Sequence, residues 1–73
     1  MNFNQLRAFY FAVKYGSYIA AAEALYITQP AITKEIQQLE ATYGIKFLNR
    51  FGKKMVLTDA GEVLYDFADK IFQ

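Results

Sequence analysis

The sequence contains no cysteine and no histidine. The first absence excludes a disulfide framework and a thiolate metal site. The second removes the commonest general base and the commonest metal ligand. Without either residue, neither a zinc centre nor a Ser/His/Asp triad can be assembled. No cofactor and no enzymatic activity are therefore expected. No apolar run approaches the roughly 20 residues that cross a bilayer, and the start, MNFNQLRAF, lacks the basic-then-apolar pattern of a signal peptide. The expected compartment is the cytoplasm, with no membrane partner.

What is present is a surplus of apolar surface. The 73 residues are 55% hydrophobic and 18% aromatic, with seven Phe and six Tyr. That is too apolar for a disordered tail. A single domain this small buries only about 60% of the surface its unfolded chain exposes, so a partner surface is expected. Charge is divided along the chain. Residues 1–57 carry seven Lys and Arg against three acidic residues, a net +4. Residues 58–73 carry Lys70 against Asp59, Glu62, Asp66 and Asp69, a net −3. A basic body with an acidic end is a weak pointer to an anionic partner for the body.

Start and stop signals divide the chain into four helices and a hairpin. Asn2 and Gln5 fit a capping box. Phe3, Leu6, Phe9, Tyr10 and Val13 form one apolar stripe of a first helix, and Ala8, Phe11, Ala12 and Tyr15 form a second. A helix apolar on two faces is covered on two faces, so the second stripe needs another element or a second chain. Gly16 stops this helix and Ser17 caps a second, Ala-rich one over Tyr18–Leu25. After Tyr26 and Ile27, Thr28 caps a third helix with Pro30 in its first turn. Ile32, Ile36, Leu39 and Tyr43 make its buried stripe, and Gly44 ends it.

The period then changes. Lys46–Arg50 and Met55–Leu57 read as short strands around a Phe51-Gly52-Lys53-Lys54 turn. Thr58 caps a fourth helix, with Asp59 and Glu62 at its positive end and Asp66 and Lys70 spaced as an i,i+4 pair. Its stripe is Val63, Leu64, Phe67, Ala68, Ile71 and Phe72. No stop signal precedes Gln73, which reads as a helix cut short. The aromatic residues, Phe9, Phe47 and Phe51 among them, are expected in the core, while Tyr18 and Tyr26 fit either packing or a phosphate contact.

The expected fold is mainly α: a winged helix-turn-helix with a three-helix body and a two-stranded wing, followed by the start of a long helix. Residues 1–58 form the first unit and 59–73 the second. The third helix exposes Pro30, Thr33, Lys34, Gln37, Gln38 and Ala41. Gln, Lys and Thr can each read a base edge in a major groove, and the wing offers Lys53 and Lys54 to a backbone or a narrow minor groove.

These residues also carry a family resemblance. Gly16-Ser17, Ala21-Ala22-Glu23-Ala24-Leu25 and Ile27-Thr28-Gln29-Pro30-Ala31-Ile32-Thr33 resemble the N-terminal domain of LysR-type transcriptional regulators. Leu39-Glu40, Gly44, Phe47-Leu48-Asn49-Arg50 and Leu57-Thr58-Asp59-Ala60-Gly61 continue the pattern in register. The resemblance covers essentially the whole chain. It implies a bacterial, nucleoid-associated transcription factor domain that reads double-stranded DNA at an A·T-rich interrupted palindrome. It implies dimers through paired linker helices, tetramers in full-length members, and a small-molecule inducer bound only by a C-terminal domain outside these residues.

Carried over position by position, the resemblance places Gln29, Pro30, Thr33 and Lys34 at bases or adjacent phosphates, and Lys53 at the minor groove. Arg50 matches the usual Arg after the first strand, and Ser17 and Thr28 match capping hydroxyls that face the backbone. With Gln37 and Lys54 added from the reading of the third helix and the wing, these are the candidate DNA-binding residues. Val63, Leu64, Phe67 and Ile71 are the candidate dimerisation residues. Three departures stand out. Ile19 occupies a frequent Thr position, Lys34 and Lys53 occupy frequent Arg positions and lack the planar fork, and Glu35 sits on the flank of the third helix, where it is expected to face protein or solvent. Two other readings stay open: a winged-helix module for protein–protein contact, and a stand-alone winged-helix repressor with its own ligand pocket.

Overall fold

The computed structural model describes every residue except Lys53. The order is α1 (Phe3–Tyr15), α2 (Tyr18–Leu25), α3 (Gln29–Tyr43), β1 (Leu48–Phe51), β2 (Lys54–Leu57) and α4 (Asp59–Phe72). Each helix starts on the side chain that the sequence indicates. Asn2 accepts from the Gln5 amide, Ser17 from Ala20, Thr28 from Ala31 and Thr58 from Gly61. These bonds satisfy orphan N–H groups that would otherwise need water. α1 and α3 close on left-handed glycines, Gly16 and Gly44, where a side chain would be strained. α2 closes instead on Tyr26, at φ 57°, whose side chain is 95% exposed. No helix among the described residues is long and apolar enough to cross a membrane.

The core lies where α1, α2 and α3 meet the base of the hairpin. Phe9, Ile32, Ile36 and Leu39 are fully enclosed, with Phe47 and Leu48 closing the cluster. Full burial of each such side chain contributes about 1.5–3 kcal/mol. Ala8, Ala12, Ala21 and Ala22 fill the helix contacts; their small size lets the three helices approach closely.

A second cluster joins α1 to α4. Leu6, Tyr10 and Ala68 are buried there, with Leu64, Tyr65 and Phe72 packed against them. The two expected stripes of α1 do not map onto its two contacts: Ala8, Phe9 and Ala12 enter the main core, Leu6 and Tyr10 face α4 of the same chain, Phe11 lies against Phe72, and Tyr15 is exposed. The apolar stripe of α4 divides accordingly. Leu64, Ala68 and Phe72 turn inward, whereas Val63, Phe67 and Ile71 are 71%, 55% and 49% exposed.

Four further expectations change. β1 begins at Leu48 rather than Lys46, because the Phe47 and Leu48 amides donate to the Glu40 carboxylate at 2.8 and 3.4 Å. Tyr43 is exposed in the last turn of α3, with the Phe47 ring edge-to-face against it at 6.4 Å. Phe51 is 65% exposed, opposite Lys54 at the far end of the hairpin and outside the core. The one ion pair among the described residues joins Lys46 to Glu40 at 3.5 Å, so Asp66 and Lys70 are not paired.

Candidate nucleic-acid interface

The outer face of α3 carries Gln29, Pro30, Lys34, Gln37 and Gln38, all exposed. Thr33 is half-buried and its hydroxyl donates to the Gln29 carbonyl at 3.2 Å. The inner stripe of Ile32, Ile36 and Leu39 fixes this helix to the core. Its polar side is therefore held in one rotational setting.

The wing stands beside that face. β1 and β2 pair antiparallel, with Leu48 opposite Leu57, Asn49 opposite Val56 and Arg50 opposite Met55. Between α3 and β1 lies a cleft of about 430 Å³ bordered by Thr33 and Gln37 on one side and Asn49, Arg50 and Phe51 on the other. Tyr18 of α2 also borders it. The Arg50 guanidinium lies 4.8 Å from the centroid of the Tyr18 ring. Burial pushes the Tyr18 phenol pKa up, and the charge of Glu40 adds to this, while Arg50 pulls the other way.

The structure thus brings Thr33, Gln37 and Arg50 to one cleft. Gln29, Pro30 and Lys34 share α3 with Thr33 and Gln37 but lie outside the cleft. Ser17 and Thr28 sit at the N-terminal ends of α2 and α3. Each oxygen accepts one amide, and the hydroxyl proton has no acceptor among the described residues. Lys54 borders a separate recess with Val13, Gly16 and Met55. Lys53 lies outside the described residues. Glu35 turns into a recess shared with Asn4 and Arg7, off the cleft and against protein. Of the dimerisation candidates, Val63, Phe67 and Ile71 share one outer stripe, and Leu64 belongs to the inner contact with α1.

Sequence reading did not single out Asn49, and it left Tyr18 open between packing and a phosphate contact. Asn49 lies within a matched family run, but only pairing with β2 turns it toward α3. Tyr18 looks like any aromatic residue near a helix start, and its relation to Arg50 depends on a contact across 32 positions. Among the described residues no group of three or more acidic side chains is placed to hold a metal ion.

Residues 3–62 match the family model for bacterial regulatory helix-turn-helix proteins of the lysR family. The chain belongs to the LysR family. Among curated relatives, it is 40% identical over 72 residues to the transcriptional activator protein NhaR of Escherichia coli, covering 99% of this chain and 24% of that protein. It is 37% identical over 73 residues to the RuBisCO operon transcriptional regulator of Allochromatium vinosum, covering 100% of this chain and 24% of the relative. The chain thus spans about a quarter of the length of these LysR relatives. Among solved structures it resembles the BenM DNA-binding domain in complex with catB site 1 DNA, at a TM-score of 0.91 and 35% identity, covering 97% of this chain and 79% of that one. It also resembles the DNA-binding domain of CbnR in its DNA complex, at a TM-score of 0.89 and 38% identity, covering 97% and 82%.

Proposed function

We propose that this LysR-family domain is the DNA-reading head of a bacterial transcriptional regulator, with residues 1–58 as the head and 59–73 as a linker helix. The observation that carries this reading is the exposed polar face of α3 standing beside the cleft that Arg50 borders. In it, α3 enters a major groove and presents Gln29, Thr33, Lys34 and Gln37 to base edges or adjacent phosphates. The capping hydroxyls of Ser17 and Thr28 donate to phosphate oxygens at the two helix starts, where the dipoles already favour anions. Arg50, Lys53 and Lys54 contact the backbone or the minor groove from the wing.

Two copies pair along the outer stripe of α4, through Val63, Phe67 and Ile71. Their two α3 helices then meet successive grooves of an A·T-rich interrupted palindrome. A tetramer and a small-molecule inducer belong to the longer proteins in which such heads occur. The compartment is the cytoplasm, at the nucleoid, and the domain performs no catalysis of its own. A gel-shift titration of an A·T-rich palindromic duplex against a scrambled duplex of equal composition tests the reading. Tighter binding to the palindrome is expected, and equal affinity for both would remove sequence specificity from it.

A further inference from the structure

We propose that Tyr18 is a positioning residue for Arg50, which it holds over its ring as a pre-ordered clamp for a DNA phosphate. The inference rests on the DNA-binding reading above and assigns a role to a residue on α2 that presents no side chain to the outer face of α3. Tyr18 is 8% exposed, so its ring has one setting, fixed by the core cluster that includes Ala21, Ala22 and Ile36. Arg50 is exposed, on an isolated two-stranded wing. A long side chain in that position loses much rotamer freedom when it docks on a ligand.

The 4.8 Å approach of the guanidinium to the ring removes part of that cost in advance. A guanidinium attracted to a ring through its charge still carries N–H donors that can meet a phosphate. The backbone is ordered from the other side. Glu40 of α3 accepts the Phe47 and Leu48 amides where the chain enters β1, and its charge is felt at the Tyr18 phenol together with that of Arg50. Strand and ring thus fix the two ends of the same side chain. The cleft that they border is the one occupied on its far side by Thr33 and Gln37, so the clamp has a set relation to the base-reading face.

The test is a double-mutant cycle on a mixed-sequence duplex, because a phosphate contact is independent of sequence. Wild type, Tyr18→Phe, Tyr18→Leu, Arg50→Ala and Tyr18→Leu/Arg50→Ala are compared by affinity and by the slope of log K against log salt. Arg50→Ala is expected to lower the slope by about 1. Tyr18→Leu is expected to weaken binding about three- to fivefold, and to have no effect once Arg50 is absent. Tyr18→Phe, which keeps the ring, is expected to bind as wild type. A Tyr18→Leu effect of equal size with and without Arg50 would overturn the proposal, as would a Tyr18→Phe defect matching that of Tyr18→Leu. If Tyr18→Leu does not fold, Tyr18→Met, which fills similar space without a ring, replaces it in the cycle with the same expected and overturning outcomes. Failure of the wild-type domain to bind any duplex would instead refute the DNA-binding reading itself.

Discussion

The Tyr10 phenol donates a 2.6 Å hydrogen bond to Oδ1 of Asp69. The two residues lie 59 positions apart, on α1 and α4. The Tyr10 ring is fully buried and stacks at 5.0 Å on Tyr65 and at 5.3 Å on Phe72. One side chain therefore fixes the last helix to the body through a polar and an aromatic contact together. The orientation of α4 follows from it.

This contact predicts a specific alkaline behaviour. The Tyr10 pKa is pushed up from the ordinary 10.0, first by the hydrogen bond to Asp69, then by burial and the carboxylate charge. Above about pH 10 the unfolded chain ionises its tyrosines while the folded chain keeps the Tyr10 proton, so the folded state binds more protons. The resulting stabilisation is complete below about pH 10 and is lost as pH rises beyond that. Tyr18 acts in the same direction. Thermal melts followed by circular dichroism are expected to show Tm falling in this range, with Tyr10→Phe lower at neutral pH but flatter in alkali. Parallel curves for the two proteins would count against the role of Tyr10.

Gly61 is set by close approach rather than by backbone angle. A Cβ there would run into the Phe47 carbonyl oxygen, with the carbonyl carbon at 2.8 Å and Leu57 Cδ2 at 3.1 Å. Backbone cannot yield as a flexible side chain does, so the first turn of α4 would be forced off the hairpin base. Gly61→Ala is expected to cost about 1–3 kcal/mol despite its better helix propensity. Urea denaturation measures this. A neutral or stabilising result would mean that the junction is looser than the structure places it.

Glu40 is the fastening of the wing to α3. Its carboxylate accepts two amides and meets Lys46, with its own side chain only 11% exposed. Glu40→Ala leaves the Phe47 amide without a partner and is expected to destabilise the domain by about 1.5–3 kcal/mol. Glu40→Gln keeps an acceptor oxygen and should recover part of the loss. Amide hydrogen exchange at Phe47 and Leu48 offers a local check, since faster exchange in Glu40→Ala but not in Glu40→Gln identifies the same bond.

Neighbouring positions of α4 should respond in opposite ways. Phe67 is 55% exposed and Ala68 is fully buried. Phe67→Glu is expected to leave Tm nearly unchanged while shifting a dimer toward monomer in sedimentation velocity. Ala68→Leu adds volume beside Tyr10 and Leu6, and overpacking there costs about 1–3 kcal/mol. A Phe67→Glu protein that sediments as wild type would count against the proposed pairing through this stripe.

The residues alone determined the element order, because each signal acts within a turn of its own helix. Asn2, Ser17, Thr28 and Thr58 cap amides three positions away, and Gly16 and Gly44 end the helices that precede them. Periodicity likewise identified Ile32, Ile36 and Leu39 as core and the opposite side of α3 as polar and exposed. Family runs added Arg50 and Gly61 without saying what either touches. Only the tertiary structure decided what depends on distant partners. α1 is apolar on both sides, and nothing local distinguishes the side facing α3 from the side that Leu64, Ala68 and Phe72 cover. The surplus of apolar residues that implied a partner chain is thus met partly within the chain, and what remains outside includes the Val63, Phe67 and Ile71 stripe. The start of β1, the exclusion of a Cβ at Gly61 and the seating of Arg50 on Tyr18 arise in the same way. Each requires two segments far apart in the chain to arrive at one place, and packing alone brings them there.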